Sequence, residues 1–322
     1  MVCKMDLFHN AVNSVAVFLC LIIVVFYMKH KSLLRESHAP AIALIITEVI
    51  LPAYLFRQLA YSQLTITSLN AVLALIIIEL IIGVLSYLTA RFLLKLSDTS
   101  LALFVLCSTF SSTGLLGNSF LKILFADDIA TISEGILIGQ LAITAPNYLL
   151  TPAILSLYSR SHGSTSLHSQ ILKSFLNPPN IAIICGLTWA LLSFPKSGGL
   201  IDPVFSALKL IGDTIPLLVA ITVGLSLNSI PFMKDRMLSI VCACFVLLIK
   251  PVLTYYLDVR FHEPQIDKEV SFLLAAMPAA PFIAVYAVRF NVNPGLASSL
   301  VASTLILSSI SIPSLLWTFR SL

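Results

Sequence analysis

The chain has 322 residues; 58% are hydrophobic and 11% charged, the mean hydropathy is +0.99 and the formal net charge is +4. A water-soluble domain carries roughly 25% charged residues, so this chain cannot cover a soluble surface and belongs in a lipid bilayer. The small positive charge fits a Lys/Arg bias in membrane loops, and no basic patch with interleaved aromatics accompanies it, which excludes nucleic acid as a partner.

A spanning helix needs roughly 20 apolar residues. Ten such spans are predicted, at 11–28, 39–58, 69–94, 99–125, 131–157, 171–194, 203–227, 237–257, 270–290 and 296–318. They read as helices, because a backbone in lipid must satisfy its own hydrogen bonds. Strands of a membrane barrel would alternate apolar and polar residues, and these runs do not. The predicted fold class is therefore an all-α polytopic membrane protein.

Span one follows Lys4 and is closed by Lys29, His30 and Lys31. It is too long for a signal-peptide core and lacks a small-residue cleavage site, so it is read as an uncleaved span. The first loop holds Lys29, Lys31 and Arg35, which places it inside and both termini outside a cell membrane, plasma or inner. Span two carries Glu48 four residues before Pro52. Span three carries Glu79 inside the apolar run Asn70–Leu94. A charge there would cost several kcal/mol facing lipid, so it is expected to face the bundle interior and mark a solute or ion path.

Span four is dense in polar residues: Ser108, Thr109, Ser111, Ser112, Thr113 and Asn118, with Gly114 and Gly117 among them. Such a cluster breaks helical hydrogen bonding, and irregular backbone survives at this depth only where it is buried or lines a cavity. Ser111, Ser112, Thr113, Gly114, Gly117 and Asn118 are therefore candidate substrate-binding residues. The plainer reading is that such hydroxyls bond back to their own helix. The pair Asp127 and Asp128 at the end of this span reads as a solvated loop. Span five adds Gln140, a further candidate, and Thr144-Ala-Pro146. The hydrophilic segment 159–170 reads as a short cytoplasmic linker between two halves, 1–158 and 171–322.

The second half repeats the punctuation of the first. Span seven carries Asp213-Thr-Ile-Pro216, span eight carries Lys250, and span ten carries Ser311-Ile-Pro313. Span nine contains Met277-Pro-Ala-Ala-Pro281, a second interrupted span, which makes Pro278 and Pro281 candidates. Five spans per half is an odd number, so the halves enter the membrane from opposite sides as a 5+5 inverted repeat. Broken helices at spans four and nine would cross at the repeat interface and direct half-helix N-termini at an anion. Glu79, Lys250, Glu48 and Asp213 form a candidate charge switch. Lys250 is also a candidate counter-charge for an anionic solute. The alternatives are a static Glu79–Lys250 pair and local hydrogen bonding at proline kinks for Glu48 and Asp213.

The cysteines are scattered and mostly within spans, without zinc spacing. No histidine is placed for a metal site. No His-Glu-x-x-His, Gly-x-Ser-x-Gly or phosphate-binding Gly-x-x-x-x-Gly-Lys-[Ser/Thr] occurs, so neither an intramembrane enzyme nor an ATP-driven pump is indicated, and no cofactor is called for.

Nearly the whole chain resembles the auxin efflux carrier family, which includes bacterial malate and malonate permeases and is related to the plant PIN-formed auxin carriers. The resemblance rests on Val49-Ile-Leu-Pro52 with Leu55-Phe56, Ser112-Thr-Gly-Leu-Leu-Gly117, Asn177-Pro-Pro-Asn180 with Gly186-Leu187, and Ile215-Pro-Leu-Leu218 with Gly224-Leu-Ser-Leu227. Lys250-Pro251, Met277-Pro278, Tyr286-Ala-Val288, Ala297-Ser298 and Ser303-Thr304 continue it. The resemblance implies a scaffold of spans one, two, six and seven, a transport domain of the rest, broken helices crossing at spans four and nine, and small organic anions as substrates. The plant relatives imply a homodimer through the scaffold. Ser112 stands where the family motif has asparagine, and Ser119 where it has proline, which blunts the expected first break. The expected function is a secondary-active carrier of a small mono- or dicarboxylate working by alternating access, with protons or sodium as coupling ion. The alternative is a channel or sensor built on a carrier fold.

Overall fold

The computed structural model describes residues 4–62, 67–125, 128–159, 176–199, 201–228, 235–260 and 265–319. The expected linker beyond Ser159, the first residues of predicted span six, and Asp127 lie outside the described residues.

Among the described residues every regular element is helical, apart from one isolated antiparallel bridge between Ser111 and Ala279. In chain order the helices are α1 (Lys4–His30), α2 (Glu36–Ala60), α3 (Leu69–Leu93), α4 (Asp98–Thr109), α5 (Asn118–Leu124), α6 (Ile129–Leu157), α7 (Pro178–Leu191), α8 (Ile201–Ser226), α9 (Arg236–Asp258), α10 (Gln265–Ala275), α11 (Phe282–Phe290) and α12 (Pro294–Phe319). Six of them, α2, α3, α6, α8, α9 and α12, are long and apolar enough to cross a membrane. Predicted spans four and nine each divide into two helices, α4 with α5 and α10 with α11. Predicted span six is described only from Pro178.

The surface is that of a protein solvated by lipid. Ile23, Leu44, Leu73, Leu80, Val84, Ile184 and Leu248 are exposed on its outside. Contiguous apolar exposure of this kind marks a membrane surface. The interior holds the polar residues instead, including Glu79, Lys250, Gln140, Asn147 and the hydroxyls of α4.

Three spans contain a widened turn just ahead of a proline. The turns are Ile46–Ile50 before Pro52, Gln140–Thr144 before Pro146, and Phe245–Ile249 before Pro251. Proline has no N–H to donate, and its ring clashes with the carbonyl four residues back. Opening the turn to a π-type bonding pattern relieves the clash and keeps most carbonyls paired. Glu48 and Gln140 sit in two of these turns, and Lys250 follows the third directly.

Close helix approaches use glycine. A Cβ built at Gly186 of α7 would lie 2.8 Å from the Phe56 carbonyl oxygen of α2, so only glycine fits without a backbone shift. Phe56 also packs edge-on against Trp189, with ring centroids 5.6 Å apart. At the far end of the bundle Lys29 of α1 donates to the carbonyls of Leu225 (2.6 Å) and Leu227 (2.9 Å). This places a cation on the C-terminus of α8, where the helix dipole favours one.

Gly186→Val is expected to cost about 1–3 kcal/mol by overpacking, read as a lowered Tm of the purified protein in detergent. Ile184→Val, on the exposed face of the same helix, is expected to leave Tm unchanged.

Candidate functional site: the crossing of two interrupted helices

Helix α4 ends at Thr109, and Phe110 is extended. Helix α10 ends at Ala275, and α11 starts after Pro281. The two interruptions meet as backbone. The Ser112 N–H donates to the Pro278 carbonyl (2.7 Å), and the Ala280 N–H donates to the Phe110 carbonyl (2.9 Å). Each break thus supplies hydrogen-bond partners that the other lacks, in a region without water to do so. Proline contributes here through Pro278, whose carbonyl accepts, and Pro281, which opens α11. The missing proline at position 119 does not blunt the break. The chain leaves the helix at Phe110, upstream of that position, and Ser119 sits inside α5 with its hydroxyl bonded to the Leu115 carbonyl.

Lys250 of α9 is fully buried against this crossing. Its ammonium donates to the Glu79 carboxylate, to the Thr109 carbonyl (2.7 Å) and to the Ser111 hydroxyl (3.0 Å). An ammonium has three hydrogens, and all three are engaged. One engagement is with the last carbonyl of α4, so the cation also compensates the negative end of that half-helix. Ser111 in turn donates to the Leu274 carbonyl (3.1 Å), which extends the network to α10. The second carboxylate oxygen of Glu79 has no hydrogen-bond partner among the described residues. An apolar hollow of about 240 Å³ adjoins Glu79, walled by Ile76, Val84, Leu106, Phe110 and Leu150.

A small cavity of about 10 Å³ lies at the crossing, lined by Ser112, Thr113, Thr144, Asn147, Tyr148 and Pro281 among others. The Thr113 and Thr144 hydroxyls are 2.8 Å apart and hydrogen-bonded. The Ser112 hydroxyl and the Gln140 amide nitrogen are buried without a partner among the described residues. A larger polar cleft of about 400 Å³ enters from one face of the bundle, between α2, α5 and α8. At its inner end the Tyr54 hydroxyl donates to the Gly114 carbonyl (3.0 Å), and the Asn118 amide donates to Tyr54 (3.3 Å) and to Gly114 (3.2 Å). Gly114 and Leu115 line both the cleft and the small cavity, so the Tyr54–Gly114 contact lies between them.

The other sequence candidates fall elsewhere. Gly117 is a packing glycine: a Cβ there would meet Leu274 at 3.1 Å. Glu48 and Asp213 do not face each other. Glu48 pairs with Arg289 at the end of α11, and Asp213 pairs with Lys209 one turn before it (2.9 Å) on the cleft wall. Asp128 caps α6 by accepting from the Thr131 N–H (3.0 Å) and hydroxyl (2.7 Å), bonds that hold its carboxyl below the usual range. Sequence reasoning passed over Tyr54, Asn147, Tyr148 and Arg289, and took Thr144 only as part of a proline-bearing repeat mark. Asn147 carried a signal, a polar residue directly after a mid-span proline. Arg289 carried none, because a cation near a span end reads as a loop residue.

An apolar exterior, a polar interior and two interrupted helices joined backbone to backbone define a polytopic helical membrane protein with its chemistry inside the bundle. Residues 10–316 match the family described as membrane transport protein, and the chain belongs to it; this is the auxin efflux carrier family of the sequence resemblance. A transporter of Methanothermobacter thermautotrophicus, named uncharacterized, is 27% identical over 321 residues, covering 97% of this chain and 99% of its own. Another of Methanocaldococcus jannaschii, also named uncharacterized, is 21% identical over 297 residues, covering 91% and 93%.

Lys250→Met strands the buried Glu79 carboxylate and is expected to cost about 3–5 kcal/mol. The double variant Glu79→Gln/Lys250→Met removes both charges and is expected to recover much of that loss. The check is a double-mutant cycle on thermal or denaturant stability in detergent, where the two single losses are expected not to add.

Proposed function

We propose that the chain is a secondary carrier of a small organic anion, a mono- or dicarboxylate, which it binds at the crossing of the two interrupted helices and exposes alternately to each face. The observation that carries this reading is the crossing itself. Irregular backbone in a membrane interior is tolerated where it serves a binding cavity, and discontinuous helices are how many secondary carriers build a site. The buried, unpartnered Ser112 hydroxyl and Gln140 amide are donors suited to a carboxylate.

The ten-span inverted repeat belongs to the same proposal. The two interrupted pairs, α1 and the shorter apolar helix α7 stand where four of the expected spans were drawn, and the six long helices account for the others. Glu79 and Lys250 occupy equivalent third places in the two halves and meet across them, as an inverted repeat would have it.

Lys250 acts in this scheme as a switch on the crossing rather than as a standing counter-charge, since its three hydrogens are engaged. An incoming carboxylate competes with Glu79 for the ammonium. The unpartnered Glu79 oxygen is then the place for a coupling proton or sodium ion. The carrier reading is favoured over a channel because the cleft ends at the hydrogen-bonded Tyr54–Gly114 contact, and the cavity beyond it, about 10 Å³, is at the lower limit for one water molecule.

The test is uptake of labelled malate, malonate and indole acetate into proteoliposomes, with and without a pH gradient. Saturable uptake with counterflow is expected from the wild-type chain. Lys250→Ala is expected to abolish it and Lys250→Arg to retain a part. Flux that never saturates would support a channel, and no uptake of any anion by folded protein would sink the substrate class.

A further inference from the structure

We propose that Arg57 and Lys122 form an outer binding site for a small carboxylate in the polar cleft, separate from the crossing and occupied before the Tyr54–Gly114 contact opens. The proposal rests on the anion-carrier reading above.

The cleft brings together three cations, Arg57, Lys122 and Lys209, and one acid, Asp213. Lys209 and Asp213 pair with each other and cancel. Among the described residues neither Arg57 nor Lys122 is in an ion pair. The cleft therefore carries two uncompensated positive charges.

Arg57 is the more telling of the two. Its guanidinium lies 5.1 Å from the centre of the Tyr61 ring, which fixes its plane. Its Nε is buried with no hydrogen-bond partner among the described residues. A charged donor buried unpaired is costly. A carboxylate in the cleft gives the guanidinium a partner, because its two oxygens match the planar fork. Lys122 is exposed across the cleft and serves as a mobile point charge. Gln58 and Asn118 add neutral polar groups to the wall. A volume of about 400 Å³ accommodates a small carboxylate with part of its hydration. A walled cleft with one sign of charge also concentrates anions, raising encounter rates by roughly 10–10³-fold.

The test reads the field and the occupancy of the cleft without requiring transport. Ser119, on the cleft wall, is replaced by cysteine (Ser119→Cys) in the full chain with Cys3, Cys20, Cys185 and Cys244 changed to serine. The purified protein, in neutral detergent free of anionic lipid, is treated with an anionic or a cationic methanethiosulfonate. Rates are normalised to a free thiol. The anionic reagent is expected to react roughly tenfold faster than the cationic one, and malonate is expected to slow it saturably. Arg57→Gln and Lys122→Gln are each expected to weaken both effects; Lys122 is exposed, so its variant keeps the test open if Arg57→Gln fails to fold. Equal rates for the two reagents, malonate protection that survives both substitutions, or protection by added phosphatidylglycerol but not by malonate would overturn the site. Protection without uptake in the proteoliposome assay leaves the outer site standing and removes the carrier reading. Uptake without protection does the reverse.

Discussion

A helix that stops inside an apolar layer leaves carbonyls at one end and amides at the other, and no water is present to receive them. Most of the architecture follows from how this chain meets that constraint. It stops two helices rather than one and lays the stops against each other, so that Phe110 and Ser112 exchange hydrogen bonds with Ala280 and Pro278. What remains at the end of α4, the carbonyl of Thr109, is taken by the Lys250 ammonium. The lysine then needs an anion, which Glu79 supplies, and Ser111 completes its coordination. One unsatisfied helix end thus fixes the positions of three side chains on α3, on α9 and in the break itself.

The ion pairs inside the bundle also hold its parts together. Glu48 and Glu79 come from the first half of the chain, and their partners Arg289 and Lys250 from the second. The Glu79–Lys250 pair is buried and adds little net stability, because desolvating both charges offsets their attraction. It adds selectivity instead: any arrangement that separates the partners leaves a bare charge in lipid. Lys29 links α1 to α8 through backbone carbonyls as well as pairing with Glu36.

Much of the membrane architecture was legible in the sequence, and the reasons are physical. Apolar runs of spanning length admit only helices, and a polar, glycine-containing stretch or a Pro-x-x-Pro stretch inside such a run admits only an interruption. The meeting of Glu79 with Lys250 was readable because each charge stood alone in an apolar span and had few partners available. The partners of Glu48 and Asp213 were not readable. Arg289 stands near a helix end, where a hydropathy pattern assigns it to a loop, yet it reaches back to Glu48 across the fold. Asp213 lies within a two-residue interruption of α8, close enough to its surface to be served by Lys209. Gly117 looked like part of a binding lining because it lies in the polar stretch; its actual neighbour, Leu274, lies far along the chain and is set by tertiary packing. The first break was expected to be blunted by the loss of proline at position 119. Its position is instead set upstream, by the carbonyls and amides that α10 and α11 leave available.

The crossing is framed by main chain and lined by side chains, and the two are chemically independent. The bonds from Ser112 to Pro278 and from Ala280 to Phe110 use atoms that nearly every amino acid possesses. The hydroxyls of Ser112 and Thr113 and the amide of Gln140 contribute nothing to that frame. Point substitutions at these lining positions can therefore change the chemistry of the cavity while the frame stays intact. Serine in place of the family's asparagine at position 112 is such a change already made. The frame in this sense is a socket with exchangeable contacts, and a new lining requires no change of architecture.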